Sequence, residues 1–106
     1  MSYIAQLFQD RTNIVFNNRG QYIDLYAHCK GKSVGLLFSA YWCKPCRELC
    51  PDIIKYYEKH RGGKDFEIIY ISGDTDQGAF DKYFQKMPWL ALDFNEQPLS
   101  VSFLEL

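Results

Sequence analysis

The stretch Val34-Gly35-Leu36-Leu37-Phe38-Ser39-Ala40-Tyr41-Trp42-Cys43-Lys44-Pro45-Cys46 runs from a nearly continuous apolar segment into two closely spaced cysteines. Beyond it, Cys46, Leu49, Cys50, Ile53, Ile54 and Tyr57 recur at helical spacing, so the pair falls at a strand-to-helix junction. Two thiols so placed can pass between dithiol and disulfide with little movement of the backbone. The partial positive charge and free N–H groups of a helix N-terminus stabilise a thiolate on the first of them. An activated sulfur with a resolving partner in reach is the minimum equipment for thiol–disulfide exchange. On this reading Cys43 is the nucleophile, its pKa brought from about 8.5 into the range of about 4–7. Cys46 is then the resolving thiol.

Working outward, Ser33 to Ala40 reads as a strand buried on both faces. The helix after the cysteines closes at Gly62-Gly63, following a basic last turn of Lys59, His60 and Arg61. Phe66 to Ser72 is a second buried strand. Ser72-Gly73-Asp74-Thr75-Asp76 is a turn that carries a helix N-cap. Phe80, Tyr83, Phe84 and Met87 then follow at the spacing of an amphipathic helix, which ends before Pro88. Upstream, Asn13 to Phe16 is a short strand ended by the turn Asn17-Asn18-Arg19-Gly20. Gln21 to Cys29, with Ile23, Tyr26 and Ala27 on one side, suits a short helix stopped by Gly31. Downstream, Trp89 to Phe94 is a candidate strand. Alternating strand and helix argues for an α/β fold of parallel βαβ units.

The chain of 106 residues is expected to form one small domain spanning 1–106. It is 47% hydrophobic and 24% charged, which is a globular composition and not a disordered one. The aromatic share of 17% means that large rings must fill much of the core. A net charge of −1 argues neither for nucleic acid nor for an anionic membrane as partner. There is no transmembrane-length apolar stretch, and Met1 to Arg11 lacks the pattern of a secretory signal, so a cytoplasmic location is the expectation, with a nuclear one open. Cys43, Cys46 and Cys50 are too close together to staple distant parts of a fold. Clustered thiols of this kind mean redox chemistry or metal.

Several segments together resemble a known family. The active-site run Leu36 to Arg47, with Pro51 five residues past Cys46, is similar to that of thioredoxin-fold proteins. Lys64-Asp65-Phe66-Glu67-Ile68-Ile69-Tyr70-Ile71-Ser72, Phe80-Asp81-Lys82-Tyr83-Phe84 and Met87-Pro88-Trp89-Leu90-Ala91 resemble the tryparedoxin and nucleoredoxin branch. The likeness extends from about Leu7 to Phe94. It implies a thioredoxin-like fold, a central sheet flanked by helices. In the family a further helix, a cis-proline loop, two antiparallel strands and a final helix follow, and residues up to Leu106 are too few for them. The expectation is therefore a sheet lacking the C-terminal strand-strand-helix unit, with one edge open to self-association. Neither Pro88 nor Pro98 can be assigned the cis-proline role.

The resemblance implies a thiol–disulfide oxidoreductase acting on protein or small-molecule disulfides, recharged by a thiol reductant or a reductase, and needing no cofactor or metal. Trp42 covers the disulfide and offers a flat surface to a partner, and Pro45 restricts the turn. Lys44 departs from the usual Cys-Pro-Pro-Cys and places a cation beside Cys43, favouring its thiolate. Pro51 bends the helix. Cys50 and Cys29 read as buried core thiols, His28 and His60 as surface side chains. The strand before the motif holds no carboxylate between Ser33 and Tyr41, and neither Glu48 nor Asp74 can be assigned to move protons from the second cysteine. Two other readings stand beside the enzyme. One is a non-catalytic binding or regulatory module. The other is a thiolate metal or iron–sulfur site built on Cys43, Cys46 and Cys50.

Overall fold

Side chains along the central strand alternate between two cores, and this alternation organises the whole structure. A computed structural model describes residues 14–96. Strand β3, Phe66–Ser72, sends Ile69 and Ile71 to one face and Tyr70 to the other, as the twofold period of a strand requires. Strand β4, Leu90–Leu92, does the same with Leu90 and Leu92 against Ala91. Strand β1, Val15–Phe16, divides Val15 from Phe16 in the same way. Strand β2, Ser33–Ser39, completes a mixed sheet of order β1-β4-β3-β2. Only β1 runs antiparallel, with Val15 opposite Leu92. The β2–β3 pairing is parallel from Ser33 opposite Phe66 to Ser39 opposite Ser72, and β3 and β4 are parallel through Ile69–Leu90 and Tyr70–Ala91.

Among the described residues three helices cover the sheet. The one-turn helix α1, Leu25–His28, lies with Ile14, Cys29 and the aliphatic core on one face. The long helix α2, Lys44–Lys59, and helix α3, Gln77–Phe84, share the other, aromatic face. Consecutive crossovers of one hand, along strands laid down in one direction, put both helices on the same side. There Tyr70 stacks on Phe80, with ring centroids 5.7 Å apart, and meets Tyr83 edge-on at 5.6 Å. The side chain of Asp76 caps α3 by accepting from Ala79 N at 2.8 Å. At the far end of α2, Arg61 (φ 64°) and Gly63 (φ 86°) adopt left-handed backbone, and Gly62 between them lies against the Tyr57 ring. A methyl group at Gly62 would overlap that ring.

Four expectations need correction. The segment Gln21 to Cys29 is not helical throughout: Tyr22 pairs with Phe16, and Ile23 N donates to Val15 O at 2.9 Å, so the chain stays extended until Asp24 caps α1. Backbone pairing across the Asn17–Gly20 turn outweighs a weak helical pattern. Strand β2 is not buried on both faces, because it is an edge strand: among the described residues it pairs only with β3, and Phe38 remains 42% exposed. Leu49, though in helical register with the core positions, is 55% exposed. The predicted strand Trp89 to Phe94 forms only over Leu90–Leu92, and Phe94 opens a 3-10 turn, Phe94–Glu96. No peptide bond among the described residues is cis, Pro88 included; Pro98 and the tail to Leu106 lie outside them. No helix of the described residues is long and apolar enough to cross a membrane.

Candidate functional site

Strand β2 ends at Ser39, and after Ala40, Tyr41 and Trp42 the chain reaches Cys43, the N-cap of α2. Proline stands at the start of the helix as Pro45, where its missing N–H costs nothing and its fixed φ suits the first turn. Cys43 and Cys46 are joined by a disulfide, their Cα atoms 5.3 Å apart. Both are half-buried, while Lys44 and Pro45 between them are exposed. The Cys46 backbone N–H points at the Cys43 sulfur, N to Sγ 3.4 Å. The first cysteine thus takes the place that a serine or aspartate holds in an ordinary helix cap. An anionic sulfur there is favoured by the helix dipole and by a donor already aimed at it.

The loop that presents the pair is clamped by the turn after β3. Gly73 N donates to Ser39 O at 2.8 Å, and the Trp42 indole Nε1 donates to Gly73 O at 2.8 Å. The carboxylate of Asp74, buried, accepts from Tyr41 N at 2.6 Å, from the Tyr70 hydroxyl at 2.5 Å and from the Ser72 hydroxyl at 2.7 Å. The burial of Tyr70, and its bond to this carboxylate, raise the pKa of its phenol. Asp74 therefore holds the loop that carries the cysteine pair to the sheet. Sequence reasoning left it without a role because its partner, Tyr41, lies 33 residues away. The one available signal was a Ser-Gly-Asp turn directly after a buried strand.

Trp42 is 66% exposed, so core packing does not explain it. With Phe38, Ala40, Ile71 and both cysteines it lines a mostly apolar cleft of about 210 Å³. Cys50 is buried, and burial raises its pKa, while Tyr83 and Lys86 nearby act in the opposite direction. The Tyr83 hydroxyl also hydrogen-bonds Ser39 at 2.9 Å. Cys29 is buried on the other face, its thiol pushed up to about 11 by burial first and by the Glu67 charge second. Both match the reading of core thiols. Among the described residues no three His, Cys, Asp or Glu side chains gather as metal ligands.

The histidines separate. His60 is exposed and stacks on Tyr56 at 4.3 Å. His28 is no free surface group: its Nε2 lies 2.7 Å from Glu67 Oε2, and Glu67 is 2% exposed. The other Glu67 oxygen accepts from the Tyr57 hydroxyl at 2.9 Å. This network lies at the start of β3, away from the cysteines at the strand ends, and ties α1 to the sheet and α2. Glu48 is exposed on α2.

A thioredoxin-like family profile matches residues 31–103. The chain belongs to that family. It is 49% identical to tryparedoxin of Trypanosoma brucei brucei over 67 residues, which are 63% of this chain and 46% of that protein. Mouse nucleoredoxin is 38% identical over 84 residues, 78% of this chain and 19% of its own. The chain thus spans less than half the length of these curated relatives. The fold agrees closely with solved tryparedoxins. The Trypanosoma brucei structure superposes with a TM-score of 0.88 at 37% identity, covering 99% of this chain and 71% of its own. A structure of tryparedoxin II complexed with glutathionylspermidine gives 0.87 at 33% identity, covering 98% and 71%.

Proposed function

We propose that the chain is a thiol–disulfide oxidoreductase, a protein-disulfide reductase working through the dithiol Cys43-Lys44-Pro45-Cys46. The observation that carries this reading is the cap geometry: Cys43 sits where a helix stabilises an anion, with the Cys46 N–H directed at its sulfur and Cys46 itself in bonding range. In the reduced protein the Cys43 thiolate attacks one sulfur of a substrate disulfide. A mixed disulfide forms and the first substrate thiolate leaves. Cys46, as thiolate, then attacks the Cys43 sulfur, closing the Cys43–Cys46 bond and expelling the second substrate thiolate. The two protons given up by Cys43 and Cys46 match the two gained by the substrate thiols, so two electrons pass from protein to substrate. An external thiol returns the pair to the dithiol, and the tryparedoxin complex with glutathionylspermidine supports a glutathione-type donor.

Lys44 adds a cation next to the attacking sulfur, and Trp42 forms the wall of the cleft against which the substrate backbone rests. The test is reduction of insulin by the protein in the presence of dithiothreitol, followed by turbidity. The wild-type chain accelerates precipitation and Cys43→Ser abolishes the acceleration. Equal rates for the two proteins overturn the proposal.

A further inference from the structure

The disulfide is flanked by two depressions of different character. One is the apolar cleft at Trp42. The other is a groove of about 390 Å³ between α2 and α3, lined by Lys44, Arg47 and Glu48 on one side and by Tyr83 and Lys86 on the other. We propose that this groove docks an acidic, extended segment of the protein whose disulfide is reduced, placing that disulfide at Cys43. The inference rests on the exchange reaction proposed above and narrows its substrates to proteins with carboxylates beside the reacting cysteine.

The charge argument is local. The lining carries three cations, Lys44, Arg47 and Lys86, against one carboxylate, Glu48, in a chain whose net charge is −1. Lys82 adds a fourth cation beside the groove: its Nζ stands 5.2 Å from the centre of the Tyr41 ring, and the Arg47 guanidinium stands 5.1 Å from the same ring. Two cations are thus held in place by one aromatic side chain. A hydrogen bond with Lys82 first, and then the charges of Lys82, Arg47 and Lys86, lower the pKa of the Tyr41 phenol. Among the described residues the ion pairs are His28–Glu67 and Arg61–Asp65, so none of the four cations is neutralised by a carboxylate there.

Position and spacing argue for a peptide segment. Lys44 lies between the two cysteines and Arg47 directly follows the second, so the groove opens beside the reacting pair. Lys82 is in the last turn of α3, which ends at Phe84, and Lys86 lies on the groove wall two residues past that end. Alternate side chains of an extended strand recur on one face at about 6.6–6.8 Å. A Glu-x-Glu segment laid along the groove therefore turns both carboxylates toward its cations. A rim in which cations outnumber the carboxylate also steers such a partner into register before contact.

The test uses two peptides of one sequence, each with a cysteine in mixed disulfide to thionitrobenzoate. They differ only in Glu or Gln at the second and fourth positions after that cysteine. The reduced protein is expected to release thionitrobenzoate from the Glu peptide about fivefold faster, the effect of two exposed ion pairs. The advantage disappears at about 0.5 M salt, where the screening length falls to a few ångströms. The double variant Lys82→Gln/Lys86→Gln brings the ratio to about one. Equal rates for the two peptides, or a preference that survives the double variant, overturn the docking site. A second measurement separates docking from exchange: anisotropy of a cysteine-free, labelled Glu-x-Glu peptide on the oxidised protein. Salt-sensitive binding without any peptide reduction sinks the exchange reaction and leaves the groove. Reduction of both peptides without binding sinks the groove alone. If glutathione disulfide shows the same loss of rate in the double variant and the peptides do not, the groove serves small carboxylated disulfides and the peptide proposal is wrong.

Discussion

Asp74 Oδ1 accepts a hydrogen bond from the backbone N–H of Tyr41 at 2.6 Å, joining the turn after β3 to the loop that carries the cysteine pair. Its other oxygen is shared by Tyr70 and Ser72. Asp74→Ala leaves three buried donors without an acceptor and is expected to destabilise the protein by about 2–4 kcal/mol. Urea unfolding measures this. Asp74→Asn, which keeps an acceptor oxygen, is expected to cost less. A loss under about 0.5 kcal/mol for the alanine variant shows that the clamp is not structural.

Cys46→Ser removes the group that releases the mixed disulfide. With a protein disulfide substrate, the variant is expected to accumulate a covalent adduct on Cys43 that intact-mass spectrometry detects and dithiothreitol removes. Cys43→Ser forms none. Adducts on Cys50 in the folded protein contradict the role given to Cys43, because Cys50 is buried and its pKa raised.

Glu67 is held between His28 and Tyr57. Replacing Glu67 with Leu removes the charge but leaves the Tyr57 hydroxyl and His28 unpaired, and the expected cost is about 1–3 kcal/mol. Insulin reduction per folded molecule should be unchanged, since the network lies at the other end of the sheet. A change in turnover at constant folded fraction counts against that separation.

Gly62→Ala puts a methyl group into the Tyr57 ring. The ring is 8% exposed and packed between Phe66 and Trp89, so it has little room to yield. A loss of about 1–3 kcal/mol is expected. Gly20→Ala carries only the backbone cost of its positive φ, with open space around it. The melting temperatures of the two variants, compared, check the contrast.

Stability should fall in alkali. Cys29 titrates at about 11 in the fold against an ordinary value of 9.0, and burial, foremost, raises Tyr57, Tyr70 and Tyr83 above 10.0. Groups raised in the fold leave stability whole below their unfolded pKa values. Above about pH 9 the unfolded chain releases protons that the native state keeps, and the urea midpoint declines through pH 11. Cys50 is raised from the same ordinary value, so Cys29→Ala lessens the decline just above pH 9, and only with Cys50→Ala added does it begin about one pH unit later, near the tyrosine value. A midpoint flat from pH 8 to 11 overturns this account.

What local sequence determines is set by contacts within a few residues: the strand–cysteine–helix junction, the Asp76 cap, the α3 stripe of Phe80, Tyr83 and Phe84, and the thiol pair itself. Periodicity and capping express physics that acts along the chain, and the sequence alone carried them to the family. Only the tertiary structure decided which strand stands at the edge, that residues 21–23 pair with β1 instead of coiling, and that His28 meets a buried Glu67. It also decided that Asp74 grips Tyr41 and that Lys44, Arg47 and Lys86 line one groove with Lys82 beside it. The His28–Glu67 and Tyr41–Asp74 relations join residues 39 and 33 positions apart, and the others depend on which segments meet across the sheet or the groove. Free energy of that kind arises when segments meet in space, and no pattern of spacing along one segment records it.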